Sequence, residues 1–363
     1  MDILIKNNVI KKNKIIVDIG IYATRILDVR YASKKIIIDK ASMFENTSYD
    51  DAEGINFDDI ARKVDDKTNG RGKRDISVSL PAEICENKIV AIRNKRDSDI
   101  PKIIEKEHMD FANASRLTHV IDYAFLGKRE EQGDTVAYYL ISAVQKTVAN
   151  DLVNAFAEHK MKVTTIVSSM YNQICLSELY FDDYENMNRM FIDIGSRTTR
   201  VIAFAEGVPI YARTIEYGFK SYVNLLFKSQ SDVGKPDIIT ALNEVGEMSG
   251  LNVGVYSKYF YTLDKDLYKS CLEDVDGNMF REIDKIVDVF SSNDVAITKI
   301  YLTGHIIEGF RDKLKNHTDM ECECVTFNDW DEKDGKNYLL WVEDAGFKAD
   351  YSNAVGLAIN PMM

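Results

Sequence analysis

Two short segments of the chain combine an aspartate and a glycine directly after a hydrophobic strand. Asp18 and Gly20 follow one apolar run, and Asp193 and Gly195 follow another. A glycine at a strand end lets the backbone bend tightly around an anion, with the N–H groups of the turn directed at phosphate oxygens. An aspartate beside phosphate needs a cation between the two negative charges. The pattern therefore predicts two phosphate-binding hairpins, with Asp18 and Asp193 holding Mg²⁺ through water.

The two segments are copies of each other. Five of ten positions are identical between 18–27 and 193–202. Either copy alone could be no more than a strand end followed by a turn. A duplication on this scale favours two lobes of like topology that face one another.

Further donors follow the glycine only in the second copy. Ser196, Thr198 and Thr199 supply hydroxyls after Gly195, whereas residues 21–23 (Ile-Tyr-Ala) add bulk in the first copy. A later strand runs into Gly304, which adds a second glycine turn to the candidate site. The second hairpin is thus expected to hold most of any bound nucleotide.

Composition bounds the class of protein. With 363 residues and 45% hydrophobic content, the chain exceeds the usual size of a single core, so at least two lobes are expected. The net charge of −12 argues against nucleic acid as a partner. One basic stretch is either solvated charge on loops and strand edges or a patch facing an anionic membrane or acidic peptide; it comprises Arg71, Lys73, Arg74, Lys88, Arg93, Lys95 and Arg96.

The cysteine spacing and the hydropathy indicate which cellular compartment the protein occupies. The five cysteines are widely spaced and form no C-x-x-C pair, which argues against zinc or redox sites and favours a reducing compartment. No run of about 18 apolar residues occurs, and the N-terminus lacks the apolar core of a signal peptide. Membrane association is therefore expected only through a partner.

Hydrophobic periodicity predicts an alternation of strands and helices. The pattern indicates three strands over 15–46, helices at 56–69, 99–113, 146–160 and 263–292, strands at 75–80, 118–126, 135–144 and 300–304, a polar loop at 128–134, and a last helix to about 316. Val153 is expected in the apolar stripe of the helix at 146–160.

These motifs resemble those of the actin and sugar-kinase (ASKHA) superfamily. The segments Asp18–Arg25 and Asp193–Arg200 resemble its two phosphate loops, and Leu302–Gly304 resembles the start of its adenosine loop. Within the superfamily the chain is more similar to the PilM family of type IV pilus assembly. The segments that carry this resemblance are 75–81, 104–107, 120–127, 191–218 and 353–358. It spans essentially the whole chain and is weakest over 228–298.

The resemblance implies an α/β, actin-like (ribonuclease H-like) two-lobed fold with an inserted FtsA/PilM-type subdomain. The implied boundaries are 1–72, 146–185 and 347–363 for the core of lobe 1, 73–145 for the inserted subdomain, 186–227 and 299–346 for the core of lobe 2, and 228–298 for a helical subdomain. The implied ligands are ATP and Mg²⁺.

Several departures from the superfamily pattern argue against catalysis. The first loop lacks its small hydroxyl residues, and the adenosine loop continues as His305–Glu308 without further glycines. No carboxylate lies near Ser168 and Ser169, where water activation would need one. We therefore expect weak or absent ATP binding, negligible hydrolysis and no catalytic residue. The alternatives are an active ASKHA-type ATPase or kinase and an FtsA-like filament-forming cell-division protein.

The partner follows from the resemblance as well. PilM-type proteins are cytoplasmic and bind the N-terminal tail of a single-pass inner-membrane protein, PilN. They thereby join a ring of membrane proteins to the cytoplasmic pilus motor. The resemblance implies the same partner here, with residues in or near 73–127 forming one wall of the peptide groove.

Overall fold

The computed structural model describes residues 13–21, 23–32, 35–46, 54–68, 74–108, 115, 117–180, 188–229, 265–292, 295–307, 309–325, 339–342 and 351–359. The chain divides into two compact units. The first consists of Met1–Asp182 and Phe327–Met363, and the second of Asp183–Thr326.

The larger sheet of the first unit has six strands. They are β1 (Asn13–Ile19), β2 (Ala23–Ala32), β3 (Lys35–Glu45), β4 (Arg74–Leu80), β8 (Met161–Ser168) and β14 (Leu339–Val342), in the spatial order β14-β3-β2-β1-β4-β8. The first three form an antiparallel meander, while β4 lies parallel to β1 and to β8. The last five residues of both β1 and β4 are buried, as is typical of strands covered on both faces.

In the described residues, four helices longer than a single turn belong to this unit. They are α1 (Phe57–Lys67), α3 (Lys146–Glu158), α4 (Ser169–Tyr180) and α8 (Ser352–Ile359). Asn56 caps α1 by accepting a hydrogen bond from the Asp59 N–H (3.0 Å). The core forms where α1 and α3 bury Ile60, Val64 and Phe156 against β1 and β4.

The second unit contains five strands and three described helices. The strands are β9 (Arg189–Ile194), β10 (Thr199–Ala205), β11 (Val208–Ile215), β12 (Lys299–Gly304) and β13 (Glu321–Cys324), in the order β11-β10-β9-β12-β13. The helices are α5 (Phe219–Ser229), α6 (Lys265–Ser291) and α7 (Phe310–Thr318). The apolar stripe of α6, predicted by its spacing of four, packs Met279, Ile283 and Ile286 into the core of this unit.

The two larger sheets share one topology. In each, an antiparallel meander of three strands is continued by two parallel strands, giving β3-β2-β1-β4-β8 in one unit and β11-β10-β9-β12-β13 in the other. The sequence repeat therefore marks a structural repeat.

A small three-stranded sheet completes the first unit. Its strands are β5 (Cys85–Arg93), β6 (His119–Glu131) and β7 (Asp134–Gln145), with β7 in the centre. The short helix α2 (Ile100–Ile103) and the π-helical turn Ile104–His108 contribute Ile100 and Ile104 to an apolar cluster on one face.

The structure corrects two local predictions and confirms part of a third. The polar loop expected at 128–134 is mostly strand, because Gln132 and Gly133 (φ 52° and 88°) form a two-residue hairpin turn. Of the helix expected at 99–113, residues 99–108 are helical, and residues 109–113 lie outside the described residues. Val153 is 41% exposed, so the apolar stripe of α3 is narrower than expected.

Two predicted boundaries are also wrong. The inserted subdomain was expected to begin at residue 73, but β4 (Arg74–Leu80) lies inside the six-stranded sheet between β1 and β8. Lobe 2 was expected to extend to residue 346, but β14 pairs with β3 and belongs to the first unit. In both cases a parallel ladder with a strand distant in sequence decides the assignment. The helical subdomain at 228–298 lies largely outside the described residues, apart from α6.

Candidate functional site

The second predicted hairpin is a tight turn between β9 and β10. The Gly195 N–H donates to the Thr198 carbonyl (2.9 Å). A Cβ on Gly195 would lie 2.7 Å from that carbonyl oxygen, so only glycine fits. The register places Asp193 directly opposite Arg200.

Asp193 is fully engaged by its own chain. Its Oδ2 accepts a hydrogen bond from the Arg200 guanidinium in a buried ion pair, with the two residues 3% and 9% exposed. Its Oδ1 lies against Gly304, where φ is +83° and an added Cβ would overlap both Oδ1 and the Ile194 carbonyl. The end of β12 therefore passes close to the carboxylate, where only glycine fits.

The carbonyls of this turn cap helix α5. Gly195 O and Ser196 O accept hydrogen bonds from the N–H groups of Phe219 (3.0 Å) and Lys220 (2.6 Å). Gly218 permits the approach, because a Cβ there would lie 2.6 Å from the Arg197 carbonyl carbon. These two N–H groups at the start of α5 are satisfied by the turn, so the helix does not present them to an anion.

The first hairpin has the same turn, but a side chain from the end of the next strand holds it in place. The Gly20 N–H donates to the Ala23 carbonyl (3.0 Å). Asn46 bridges this turn to the next strand, because its Oδ1 accepts from Thr24 Oγ1 (2.8 Å) and its Nδ2 donates to the Gly20 carbonyl (2.6 Å).

Asp18 lies in a buried polar cluster between β4 and two helices. Asn353 Nδ2 donates to Asp18 Oδ1 (2.5 Å) and lies 3.2 Å from Ser79 Oγ. Asn172 Nδ2 donates to the same hydroxyl (2.8 Å). Asp18, Ser79 and Asn172 are each 3% exposed or less, so the cluster is an internal network rather than an open donor set.

The predicted hydroxyl donors differ in exposure. Ser196 is half-buried, while Thr198 and Thr199 are 2% and 0% exposed. Ile21 is half-buried, and Tyr22 lies outside the described residues. The structure thus brings Asp193, Gly195 and Gly304 together in the second unit and places Asp18 and Gly20 in the first.

Four residues that build these hairpins were missed as site residues. Arg200 carried a signal, since arginine occupies the same position in both copies. Asn46, Asn353 and Gly218 carried none, because their partners are distant in sequence or are backbone atoms.

The resemblance of the hairpins to phosphate loops implies ATP and Mg²⁺, and the residues of the second hairpin do not fit the metal. Asp193 Oδ2 is paired with the Arg200 guanidinium, and Oδ1 lies so close to Gly304 that a Cβ there would overlap it. In the described part of the chain, no group of three or more His, Cys, Asp and Glu side chains is placed to hold a metal ion.

A second feature of functional interest is the outer edge of the small sheet. Strand β6 is one of its two edges, and it exposes Val120 (49%), Tyr123 (36%) and Phe125 (53%). Tyr123 packs edge-on against Tyr139 of the central strand, and Phe125 packs against it at a tilt, with ring centroids 6.0 Å and 5.4 Å apart.

The opposite face of the small sheet is anchored to the larger one. Ser142 Oγ donates to Asn87 Oδ1 (2.8 Å) and lies 3.4 Å from Ser168 Oγ at the end of β8. Cys85 and Val144 pack on the core of the first unit. The aromatic edge is therefore presented from a fixed base.

No helix in the described ranges is long and apolar enough to cross a membrane.

Comparison with known proteins gives structural likeness only. No family model and no curated protein matches the chain. A solved structure of a PilM-PilN type IV pilus biogenesis complex matches with a TM-score of 0.75 at 13% identity, covering 97% of this chain and 99% of the other. The ethanolamine utilization protein EutJ from Carboxydothermus hydrogenoformans matches with a TM-score of 0.51 at 10% identity, covering 97% of this chain and 91% of the other. The chain has an actin-like α/β fold, as the resemblance of its hairpins implied.

Proposed function

We propose that this chain is a cytoplasmic actin-fold scaffold of a type IV pilus inner-membrane assembly complex. It binds the cytoplasmic N-terminal tail of a PilN-like membrane protein and is held at the membrane through that partner. Its ATP binding is weak or absent, and its hydrolysis is negligible. Likeness to a PilM-PilN complex over nearly the full length of both chains supports the scaffold.

The observation that carries the partner proposal is the exposed edge of β6. Its apolar side chains lie within the segment 73–127, which the resemblance assigns to the wall of a peptide groove. An extended tail adding to a sheet edge gains affinity from backbone hydrogen bonds and specificity from pockets for alternate side chains. Rigid aromatic side chains are the usual anchors of such contacts.

The nucleotide part of the proposal rests on the second hairpin. Ser196 is the accessible hydroxyl of its turn, whereas Thr198 and Thr199 are buried and Asp193 is paired with Arg200. With few accessible donors among the described residues of the hairpin and no carboxylate in the sequence near Ser168 and Ser169, turnover is not expected.

Calorimetry with a synthetic peptide of the tail from the PilN-like protein of the same organism tests the partner. Deleting 73–145 is not a sound control, because it removes β4 from the large sheet. The double variant Tyr123→Ser with Phe125→Ser is better, with Phe227→Ser as the matched control, since Phe227 is 41% exposed on α5 of the other unit.

We expect at least a tenfold loss of affinity for the double variant and none for the control. No heat with the native protein rejects the partner. If the double variant binds as tightly as the native protein and its circular dichroism is unchanged, the peptide binds somewhere other than β6.

The alternatives remain open to direct assay. An ASKHA-type enzyme would release phosphate from ATP, and the release would fall on Asp193→Ala. An FtsA-like protein would form nucleotide-dependent filaments that sediment. Either result, together with failure of the peptide, would replace the scaffold proposal.

A further inference from the structure

The Asp193–Arg200 pair stands at the position where a metal-binding carboxylate was expected. The two residues face each other across the antiparallel register of β9 and β10, immediately behind the turn. Arg200 Nη2 also lies 3.6 Å from the position a Cβ on Gly195 would take, so the guanidinium folds over the turn glycine.

Burial strengthens the interaction between the two charges of this ion pair. Asp193 and Arg200 have side chains that are 4% and 11% exposed. Water screens a buried pair poorly, and a charge left alone at such depth is costly. An arginine in a protein does not lose its proton, so its positive charge is permanent.

Magnesium makes demands that this arrangement does not meet. It requires near-octahedral oxygen ligands and keeps several waters around itself. At Asp193 one oxygen is bonded to Arg200, and the other packs against Gly304. A dication would also be repelled by the guanidinium.

We propose that Arg200 is a built-in replacement for the divalent cation of the second hairpin. It neutralises Asp193 from within the chain, so the hairpin keeps its shape without metal and Asp193 does not bind Mg²⁺. This inference is independent of the partner proposal, because it concerns a different unit of the chain and needs no peptide.

Metal binding to the whole protein tests the proposal, with Mn²⁺ as a paramagnetic probe for Mg²⁺. Native protein and Asp193→Asn are titrated with Mn²⁺ in an electron paramagnetic resonance experiment. We expect the two titrations to coincide. Bound Mn²⁺ in the native protein that is lost in Asp193→Asn would overturn the proposal, whereas Mn²⁺ bound equally by both lies elsewhere and leaves it standing.

Arg200→Gln supplies the converse test. Removing the guanidinium frees the carboxylate to bind a cation. The melting temperature of the variant should therefore rise as Mg²⁺ is added, unlike that of the native protein. The double variant Asp193→Asn with Arg200→Gln should show no such rise. A folded Arg200→Gln that ignores Mg²⁺ would count against the replacement role. If that variant does not fold, the native titration alone decides.

Discussion

The two hairpins are built on the same five residue types and are supported in opposite ways. In the first unit, side chains do the work, since Asn46 caps the turn and Asn353 holds Asp18. In the second, the backbone of α5 caps the turn, and an arginine holds Asp193. The comparison teaches that the repeated residues are those required by the hairpin itself.

Each identical position has a structural reason. The glycine avoids a clash with a carbonyl across the turn, and the aspartate and arginine are register partners. Ile19 and Thr24 of the first hairpin are buried, as are their counterparts in the second. The requirements of folding are therefore sufficient to account for the repeated D-x-G motif.

We expect the largest loss of stability from Gly304→Ala, at the end of β12 beside the second hairpin. A Cβ there overlaps Asp193 and the backbone of β9 at a positive φ, so we expect a loss of about 3–5 kcal/mol in the unfolding free energy of the second unit. Chemical denaturation followed by circular dichroism measures it. The matched control is Gly277→Ala inside α6, where a Cβ meets nothing and should be neutral or stabilising. An equal response of the two variants would contradict the packing.

Replacing the residue that holds each aspartate should cause the next largest loss of stability. Arg200→Gln leaves a buried carboxylate unpaired and should cost about 3 kcal/mol. Asn353→Ala removes a neutral donor from Asp18 and should cost about 1–3 kcal/mol. Denaturation of the two variants side by side ranks the two supports, and a larger loss for Asn353→Ala would reverse our comparison.

A carboxylate in place of Asn353 should make the first hairpin pH-sensitive. Asn353→Asp puts two acids in contact, and they cannot both ionise at short distance. We expect the variant to be less stable than native protein at pH 7, with part of the loss recovered as the pH falls and one acid takes up a proton. A pH-independent loss would show that the polar cluster opens to water.

We expect the smallest effects on stability from replacing two matched threonines, one in each hairpin. Thr24 donates to Asn46, so Thr24→Val should cost about 1–2 kcal/mol. Thr199 is fully buried, and its hydroxyl has no hydrogen-bond partner among the described residues, so Thr199→Val should be nearly neutral. Similar losses in both would mean that Thr199 has a bonded role.

The sequence alone determined the duplicated hairpins and the long helix α6. These follow from local residue patterns, namely apolar strands ending in D-x-G and apolar residues spaced by four, which act within one element. The sites of the glycine turns followed for the same reason. The fold class followed from the resemblance of the hairpins to known phosphate loops.

Only the tertiary structure decided which groups surround each aspartate and where the units divide. Asn353 meets Asp18 from the far end of the chain, and β14 joins β3 across a similar separation. Arg200 was visible as a repeated residue, but its pairing with Asp193 depends on the strand register and on burial. Contacts between distant segments leave no periodic trace in a single sequence, and a pairing within one hairpin depends on a strand register that the residue types alone do not fix.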